Sequence, residues 1–166
     1  FGIAAYLTAE SAEGGSGSAG YLLHAYLGLS LATFVLLRLL GGFAGSGPLR
    51  FSSWSPLRRL QWIMAFQDIH QLLRLRWPER GMHEGLAGLA QFFGLMLFAW
   101  MGLTGAALYF LGASESGALE TIEEWHEVGE TLIPLYLALH VGSVLVHTLT
   151  GHSNWRRIWT FRAGIR

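Results

Sequence analysis

The sequence predicts an all-α fold: a transmembrane bundle with three complete spans, the end of a truncated first helix and an amphipathic helix on one side of the membrane. Of the 166 residues, 52% are hydrophobic and 13% are charged, and soluble domains carry about 25% charged residues. Three apolar runs reach the length of about 20 residues that a helix needs to cross a bilayer. We therefore expect residues 1–166 to form a single membrane-embedded domain.

The composition also excludes several classes of protein. Disordered chains have low hydrophobicity, and nucleic-acid binders usually carry net positive charge, whereas eleven positive residues here balance eleven negative ones. The chain has no cysteine, so it forms no disulfide, thiolate metal site or iron–sulfur cluster and has no cysteine nucleophile.

The predicted spans are residues 21–40, 86–111 and 126–150. Glycine and alanine are frequent within them, as expected where membrane helices pack closely. The second span has no charged residue, the first contains His24 and Arg38, and the third contains Glu130, His140 and His147 from Val128 onward. An ionisable residue inside a span is costly, and by default it is a candidate functional residue.

Two further segments are shorter. Residues 1–9 are apolar but too few to cross, and they precede a Gly/Ser-rich stretch. We interpret them as the end of a first helix; a surface stub and a signal-peptide remnant are the alternatives, and the absence of arginine before Arg38 disfavours the remnant. Residues 57–77 mix aromatic and aliphatic residues with arginines, which predicts a helix on the membrane surface. A docking surface for another subunit is the alternative, and the two are compatible.

The charges are divided between the two ends of the spans. All eleven arginines lie in or beside the 41–85 connection or after the last span. Eight of the eleven acids lie on or near the opposite side: Glu10, Glu13, Glu115, Glu120, Glu123, Glu124, Glu127 and Glu130. The positive-inside rule places the connection and the C-terminus in the cytoplasm of a bacterial inner membrane, with the acidic segments on the periplasmic side.

Histidines suggest a cofactor. His24 and His126 lie at similar depths near the outer ends of different spans, and two imidazoles facing each other across a bundle are the usual axial pair for a b-type haem. Gly28 and Gly129 follow them within about one turn and would leave room for the ring. The alternative is a pair of interfacial histidines bonded to carbonyls or water.

His140 extends this pattern. It follows His126 by fourteen residues, so both lie on nearly one helix face, separated by about 21 Å of helix rise. This spacing suits a second haem near the inner leaflet, whose other ligand we expect upstream of residue 1. His147 lies on roughly the same face and stays an alternative ligand, and the choice between one haem and two stays open.

Three groups of residues form motifs that occur together in one known family. The first is His24-x3-Gly28 with Arg38-Leu-Leu-Gly-Gly42 and Arg50-Phe51, and the second is Met82-His83-Glu84-Gly85-Leu86-Ala87-Gly88. The third is Glu123-Glu124-Trp125-His126-Glu127 with His140 and His147 following. In this order they resemble the second helix and its loop, the loop into the third helix, and the fourth helix of the b-type cytochromes of nickel–iron hydrogenases and the bacterial cytochrome b561 family. The resemblance covers residues 1–162.

The resemblance implies a four-helix bundle that holds two b haems and exchanges electrons with quinone. His24 and His126 would bind the outer haem iron, His140 would bind the inner one, and the remaining ligand would lie upstream. His83 occupies the place of a quinone-site residue, although Glu84-Gly85 replaces the family's usual Asn-Pro; a helix-capping role is the alternative. Arg38 would pair with a haem propionate or with a lipid headgroup.

The expected function is electron transfer across the bilayer between quinone and a periplasmic-side partner: a hydrogenase, another dehydrogenase or a cytochrome c. Any enzymatic activity would belong to the complex that the chain serves. A haem-free membrane anchor for a catalytic subunit is the alternative, and a transporter is disfavoured because the span at 86–111 has no charge. His70 and His152 are interpreted as surface residues.

Overall fold

The computed structural model describes residues 2–9, 18–47, 50–76, 78, 84–112 and 117–149. They form six helices: α1 (Gly2–Leu7), α2 (Ala19–Ala44), α3 (Phe51–Trp54), α4 (Arg59–Leu73), α5 (Gly85–Leu111) and α6 (Gly117–Leu149). Within these ranges there is no strand, so the prediction of an all-α fold is confirmed. The chain divides into two compact units, residues 1–130 and residues 131–166.

Three helices are long and apolar enough to cross a membrane: Ala19–Ala44, Gly85–Leu111 and Gly117–Val146. Gly85–Leu111 is the most covered of the three, and the rest of the chain buries 22% of the residues in its apolar stretch. Large apolar side chains such as Leu103, which is 73% exposed, therefore face outward. Apolar surface of this extent is stable in contact with lipid rather than water, so the chain is a multi-pass membrane protein, as predicted.

Local sequence explains where α2 begins and ends. The Ser18 hydroxyl accepts a hydrogen bond from the Tyr21 N–H at 3.1 Å, which satisfies one of the donors that a helix leaves free in its first turn. At the other end, the Gly45 N–H donates to the Gly41 carbonyl at 2.9 Å. The helix therefore begins where the Gly/Ser-rich stretch ends and stops at a glycine.

Small residues allow α2 and α5 to pack closely. A Cβ atom added at Gly102 of α5 would lie 2.8 Å from the Ala32 Cβ and 3.2 Å from the Ala32 Cα of α2. Such an approach requires glycine on one helix and a small residue on the other, as is common in membrane bundles. Near the end of α2, the Phe51 ring of α3 fills the space over Gly42.

The helices differ in length from the predicted segments. α6 begins at Gly117, before the predicted span at 126–150, so the acids from Glu120 onward lie on the helix. The predicted amphipathic segment at 57–77 contains α4, while α3 forms a separate turn. The apolar N-terminal residues form α1, whose Ala5 is 8% exposed.

Candidate functional site

Within the first unit, α2 and α6 bring His24 and His126 together. The centroids of their imidazole rings are 6.3 Å apart, and the ring planes meet at 82°. Both side chains are partly buried, and the His126 side chain is 14% exposed. The two histidines singled out from their similar depth in the sequence are therefore neighbours.

α1 fixes the orientation of His24. Its Nδ1 lies 2.9 Å from the Ala5 carbonyl oxygen. A carbonyl only accepts hydrogen bonds, so Nδ1 carries the proton and donates it. The other ring nitrogen, Nε2, then keeps its lone pair, which is the arrangement that metal-bound histidines usually show.

α5 orients His126 in the same way through Thr104. The Thr104 Oγ lies 2.8 Å from the His126 Nδ1, and it also lies 3.0 Å from the Trp100 carbonyl and 3.3 Å from the Met101 carbonyl. In the tautomer with a proton on His126 Nδ1, the hydroxyl proton goes to these carbonyls and Oγ accepts from the Nδ1–H. The His126 Nε2 is then unprotonated, as metal binding requires.

Glu130 completes a cluster of three possible metal ligands. Its Oε1 lies 3.7 Å from the His126 Nε2, and its side chain is 31% exposed. One ligand atom from each of His24, His126 and Glu130 lies within 4.8 Å of the other two. Sequence reasoning noted Glu130 inside a span without assigning it to the site, although its position four residues after His126 places it on the same helix face.

The geometry of the two imidazoles fits an axial pair on a haem iron. Imidazole nitrogens bind metals at about 2.0–2.1 Å, so an ion between two of them separates the donor atoms by about 4 Å. One ligand atom from each residue of the cluster lies within 4.8 Å of the other two, which is compatible with this spacing. In each ring Nδ1 already has a hydrogen-bond partner on another helix, so Nε2 is the nitrogen available to an iron.

Glycines shape the surroundings of the two rings. A Cβ atom at Gly28 would have no described atom within 4 Å, so the space expected there is open. At Gly129, by contrast, the Met101 thioether occupies the space that a side chain would need. Gly105, which sequence reasoning missed, faces His126: a Cβ there would lie 3.1 Å from the His126 Cε1.

The remaining predicted residues lie elsewhere. His140, in the second unit, is exposed and stacks on Tyr136, with ring centroids 5.5 Å apart and planes at 14°. The Arg38 guanidinium lies over the rings of Phe51 and Trp54, at 5.5 and 5.4 Å from their centroids. His70 is exposed on α4, as predicted for a surface residue. The His147 side chain and the whole of His83 and His152 lie outside the described residues.

Comparison with known proteins identifies the family. No curated protein and no solved structure showed significant similarity to the chain. The sequence profile of prokaryotic cytochrome b561 matches residues 1–161, almost the range over which the motifs resemble that family. The facing imidazoles and the three membrane helices agree with this match, and the chain belongs to the prokaryotic cytochrome b561 family of membrane-bound, haem b-containing electron-transport proteins.

Proposed function

We propose that His24 and His126 are the axial ligands of a b haem, through which the chain transfers electrons between a periplasmic-side redox partner and quinone. The observation that carries this proposal is the facing pair of imidazoles with centroids 6.3 Å apart. Each of the two rings has its Nδ1 bonded to an acceptor on a further helix.

When bound, the haem supplies a one-electron couple between ferric and ferrous iron. The protein holds the ligands in place before the cofactor binds, because the Ala5 carbonyl fixes the His24 ring and the Thr104 hydroxyl fixes the His126 ring. A hydrogen-bond acceptor at the other ring nitrogen sets the tautomer and raises the basicity of a ligating imidazole. The two imidazoles thus need little reorientation.

We assign His140 to a second, inner haem. The His140 imidazole is left uncovered by the described part of the chain, and its stacking on Tyr136 restricts its orientation. His147 is the alternative ligand. Two haems on opposite sides of the bilayer would let electrons pass between an outer partner and quinone near the inner surface.

The direction of insertion follows from the arginines. Because all eleven lie at one end of the spans, we propose that this end and the C-terminus face the cytoplasm of a bacterial inner membrane. The His24–His126 site then lies toward the periplasm, where a hydrogenase, dehydrogenase or cytochrome c would exchange electrons with it. His83, in the arginine-rich connection at 41–85, is the candidate quinone-site residue.

Haem content per chain tests the ligand assignment. Full-length protein is purified from membranes as wild type and as His24→Ala, His126→Ala and His140→Ala variants, and haem is quantified as the pyridine haemochrome. The control is His70→Ala, since His70 is an exposed histidine on α4. Redox titration of each variant shows which haem remains.

We expect His24→Ala and His126→Ala to lose the same haem, and the double variant to lose no more than either single one. His140→Ala should lose a different haem. Retention of full haem content by His24→Ala in correctly inserted protein would refute the assignment. Loss of haem from the His70→Ala control would show that the assay reports folding rather than ligation.

A further inference from the structure

On α4 the polar side chains are buried and the large apolar ones are exposed, which is the reverse of a surface helix on a soluble protein. The side chains buried against the rest of the chain are Gln61, Ala65 and Asp68, which are 3%, 2% and 3% exposed. The opposite side carries large exposed apolar residues: Leu60, Trp62, Ile63, Phe66, Ile69 and Leu73. A surface helix in water places its apolar stripe toward the core, so α4 is not built to face water.

Hydrogen bonds to the start of α5 account for the polar buried face. The Leu86 N–H donates to the Asp68 Oδ2 at 3.0 Å, and the Gln61 Nε2 donates to the Gly85 carbonyl at 3.3 Å. The first N–H groups of a helix lack acceptors within that helix, and a carboxylate favours the positive end of the helix dipole. Asp68 meets both needs of α5.

These bonds also fix the position of α4 relative to the membrane. Gly85 and Leu86 are the first residues of a membrane-crossing helix, so a helix bonded to them lies at the boundary of the bilayer. The apolar side of α4 therefore lies at the depth where hydrocarbon meets headgroups. Its aromatic residue Trp62 is of the type that is enriched at this depth.

The exposed charged residues of α4 and its two ends are arginines. Arg58 and Arg59 precede or begin the helix, Arg74 and Arg76 follow it, and all four are exposed. Asp68 is the one acid between residues 41 and 78, and its burial against α5 removes it from the surface. α4 itself exposes no acid, and the four exposed arginines outnumber the exposed Glu84 that precedes α5, so this surface is complementary to the phosphates of anionic lipids.

A shallow groove on α4 adds polar groups to this surface. It has a volume of about 460 Å³ and is lined by Ile63, Phe66, Gln67, His70 and Gln71. The first two are apolar, whereas the other three offer hydrogen-bond donors. This combination suits the part of a phospholipid where the acyl chains join the glycerol and the headgroup.

We propose that α4 is an in-plane membrane helix whose apolar face lies among the acyl chains and whose terminal arginines bind the headgroups of anionic phospholipids. The interaction is independent of haem ligation and of the redox partner. It gives this connection between two spans a function of its own, the recruitment of anionic lipid to one end of the bundle.

The absence of cysteine allows a direct test of where the face lies. A nitroxide label is attached to the Phe66→Cys variant of the full chain, reconstituted in nanodiscs of phosphatidylcholine with phosphatidylglycerol. Its collision rates with oxygen, which partitions into lipid, and with a water-soluble nickel chelate are compared with those of two references. Leu103→Cys reports the outward face of a span, and Glu120→Cys reports an exposed acidic position.

We expect the label at position 66 to behave like the label at position 103, with oxygen collisions dominant. A label that collides mainly with the nickel chelate, like the one at position 120, would place the face in water and overturn the proposal. Protection from both reagents would show that a second copy or another subunit covers α4, which would also overturn it. Haem absorbance confirms that each labelled variant is folded.

A second experiment tests whether the arginines at the ends of α4 select anionic lipids. The Arg59→Gln/Arg74→Gln/Arg76→Gln variant and wild type are extracted from the same membranes, and retained lipids are identified by native mass spectrometry. Because each arginine near an anionic surface strengthens binding by about fivefold, enrichment of phosphatidylglycerol over phosphatidylethanolamine should fall by at least about tenfold. The matched control is Arg50→Gln, since Arg50 is exposed and lies outside α4.

Unchanged enrichment in the triple variant would overturn the arginine assignment, as would an equal loss in the Arg50→Gln control. Haem content is expected to stay at the wild-type level in both variants. Failure of the haem-ligand assignment would therefore leave this lipid test unaffected.

Discussion

Replacing Thr104 by valine removes the acceptor of the His126 Nδ1–H while almost preserving the shape of the side chain. In the wild type, the Thr104 Oγ lies 2.8 Å from the His126 Nδ1 and donates its own proton to the Trp100 carbonyl at 3.0 Å. An acceptor at Nδ1 makes the imidazole a stronger electron donor to a bound metal. A stronger donor stabilises ferric iron relative to ferrous iron, so the valine variant should have a higher reduction potential.

The size of the change follows from the energy of one hydrogen bond. A net contribution of about 0.5–1.5 kcal/mol corresponds to about 20–60 mV for a one-electron couple, because a tenfold change in equilibrium constant is about 59 mV. Only the difference in the energy of this hydrogen bond between the ferric and the ferrous state changes the potential. The range therefore gives the largest shift to expect. Thr104→Ser keeps the hydroxyl and should retain the wild-type potential.

The measurement is a redox titration of full-length protein, followed by absorbance of the reduced haem. With two haems present, one step should move upward in Thr104→Val while the other stays in place. An unchanged titration in Thr104→Val, or an equal shift in Thr104→Ser, would refute the role given to this hydrogen bond. A downward shift would show that the direction of the argument is wrong.

Three further predictions rest on other contacts. Because the two imidazole planes meet at 82°, the electron paramagnetic resonance spectrum of the oxidised outer haem should show the single large-g feature of near-perpendicular ligands; a rhombic low-spin spectrum would contradict it. Gly102→Ala, whose Cβ would lie 2.8 Å from the Ala32 Cβ, should lower the free energy of unfolding by about 1–3 kcal/mol, measured by thermal unfolding. Gly41→Ala, with no described atom within 4 Å, should not lower it. Asp68→Ala leaves the Leu86 N–H without its 3.0 Å acceptor, so it should lower the free energy of unfolding by about 1–3 kcal/mol in the same measurement. Asp68→Asn keeps a carbonyl oxygen as acceptor and should lower it less.

The spans and the histidine pair could be predicted because they depend only on residue type and on position along the chain. Apolar runs of sufficient length must be helices in a bilayer, since lipid offers no partner for backbone groups. Depth within a run then follows from counting residues, and His24 and His126 come out at similar depths. Only the match of depth was needed for the prediction that they face each other.

Thr104 and Gly105 could not be predicted in the same way. A threonine in an apolar helix normally bonds to a carbonyl of its own preceding turn, and Thr104 does so. Whether its hydroxyl also reaches another helix depends on the rotation of α5 about its axis. That rotation is set by contacts between helices, such as the close approach of Gly102 to Ala32, and residue spacing does not contain it.

The irregular pattern of the amphipathic segment has a similar origin. The sequence showed apolar and polar residues alternating without a clean period, because the polar residues on α4 have two different tasks. Gln61 and Asp68 bond to the start of α5 inside the protein, while the arginines face outward. A hydrophobic pattern assumes that polar residues face water, and this assumption does not hold at a membrane boundary.

The two proposed ligands are oriented by acceptors of different strength, and this difference depends on α1. A peptide carbonyl is a stronger hydrogen-bond acceptor than an aliphatic hydroxyl, so His24, bonded to the Ala5 carbonyl, should be the stronger electron donor. The position of that carbonyl is set by packing: a Cβ at Gly2 would lie 3.3 Å from the Phe98 Cε1 and 3.5 Å from the Leu31 Cδ2. α1 is therefore held against α2 and α5 by a contact that leaves little room for a larger residue. It follows that the electronic properties of the site depend on a short helix that contains neither histidine.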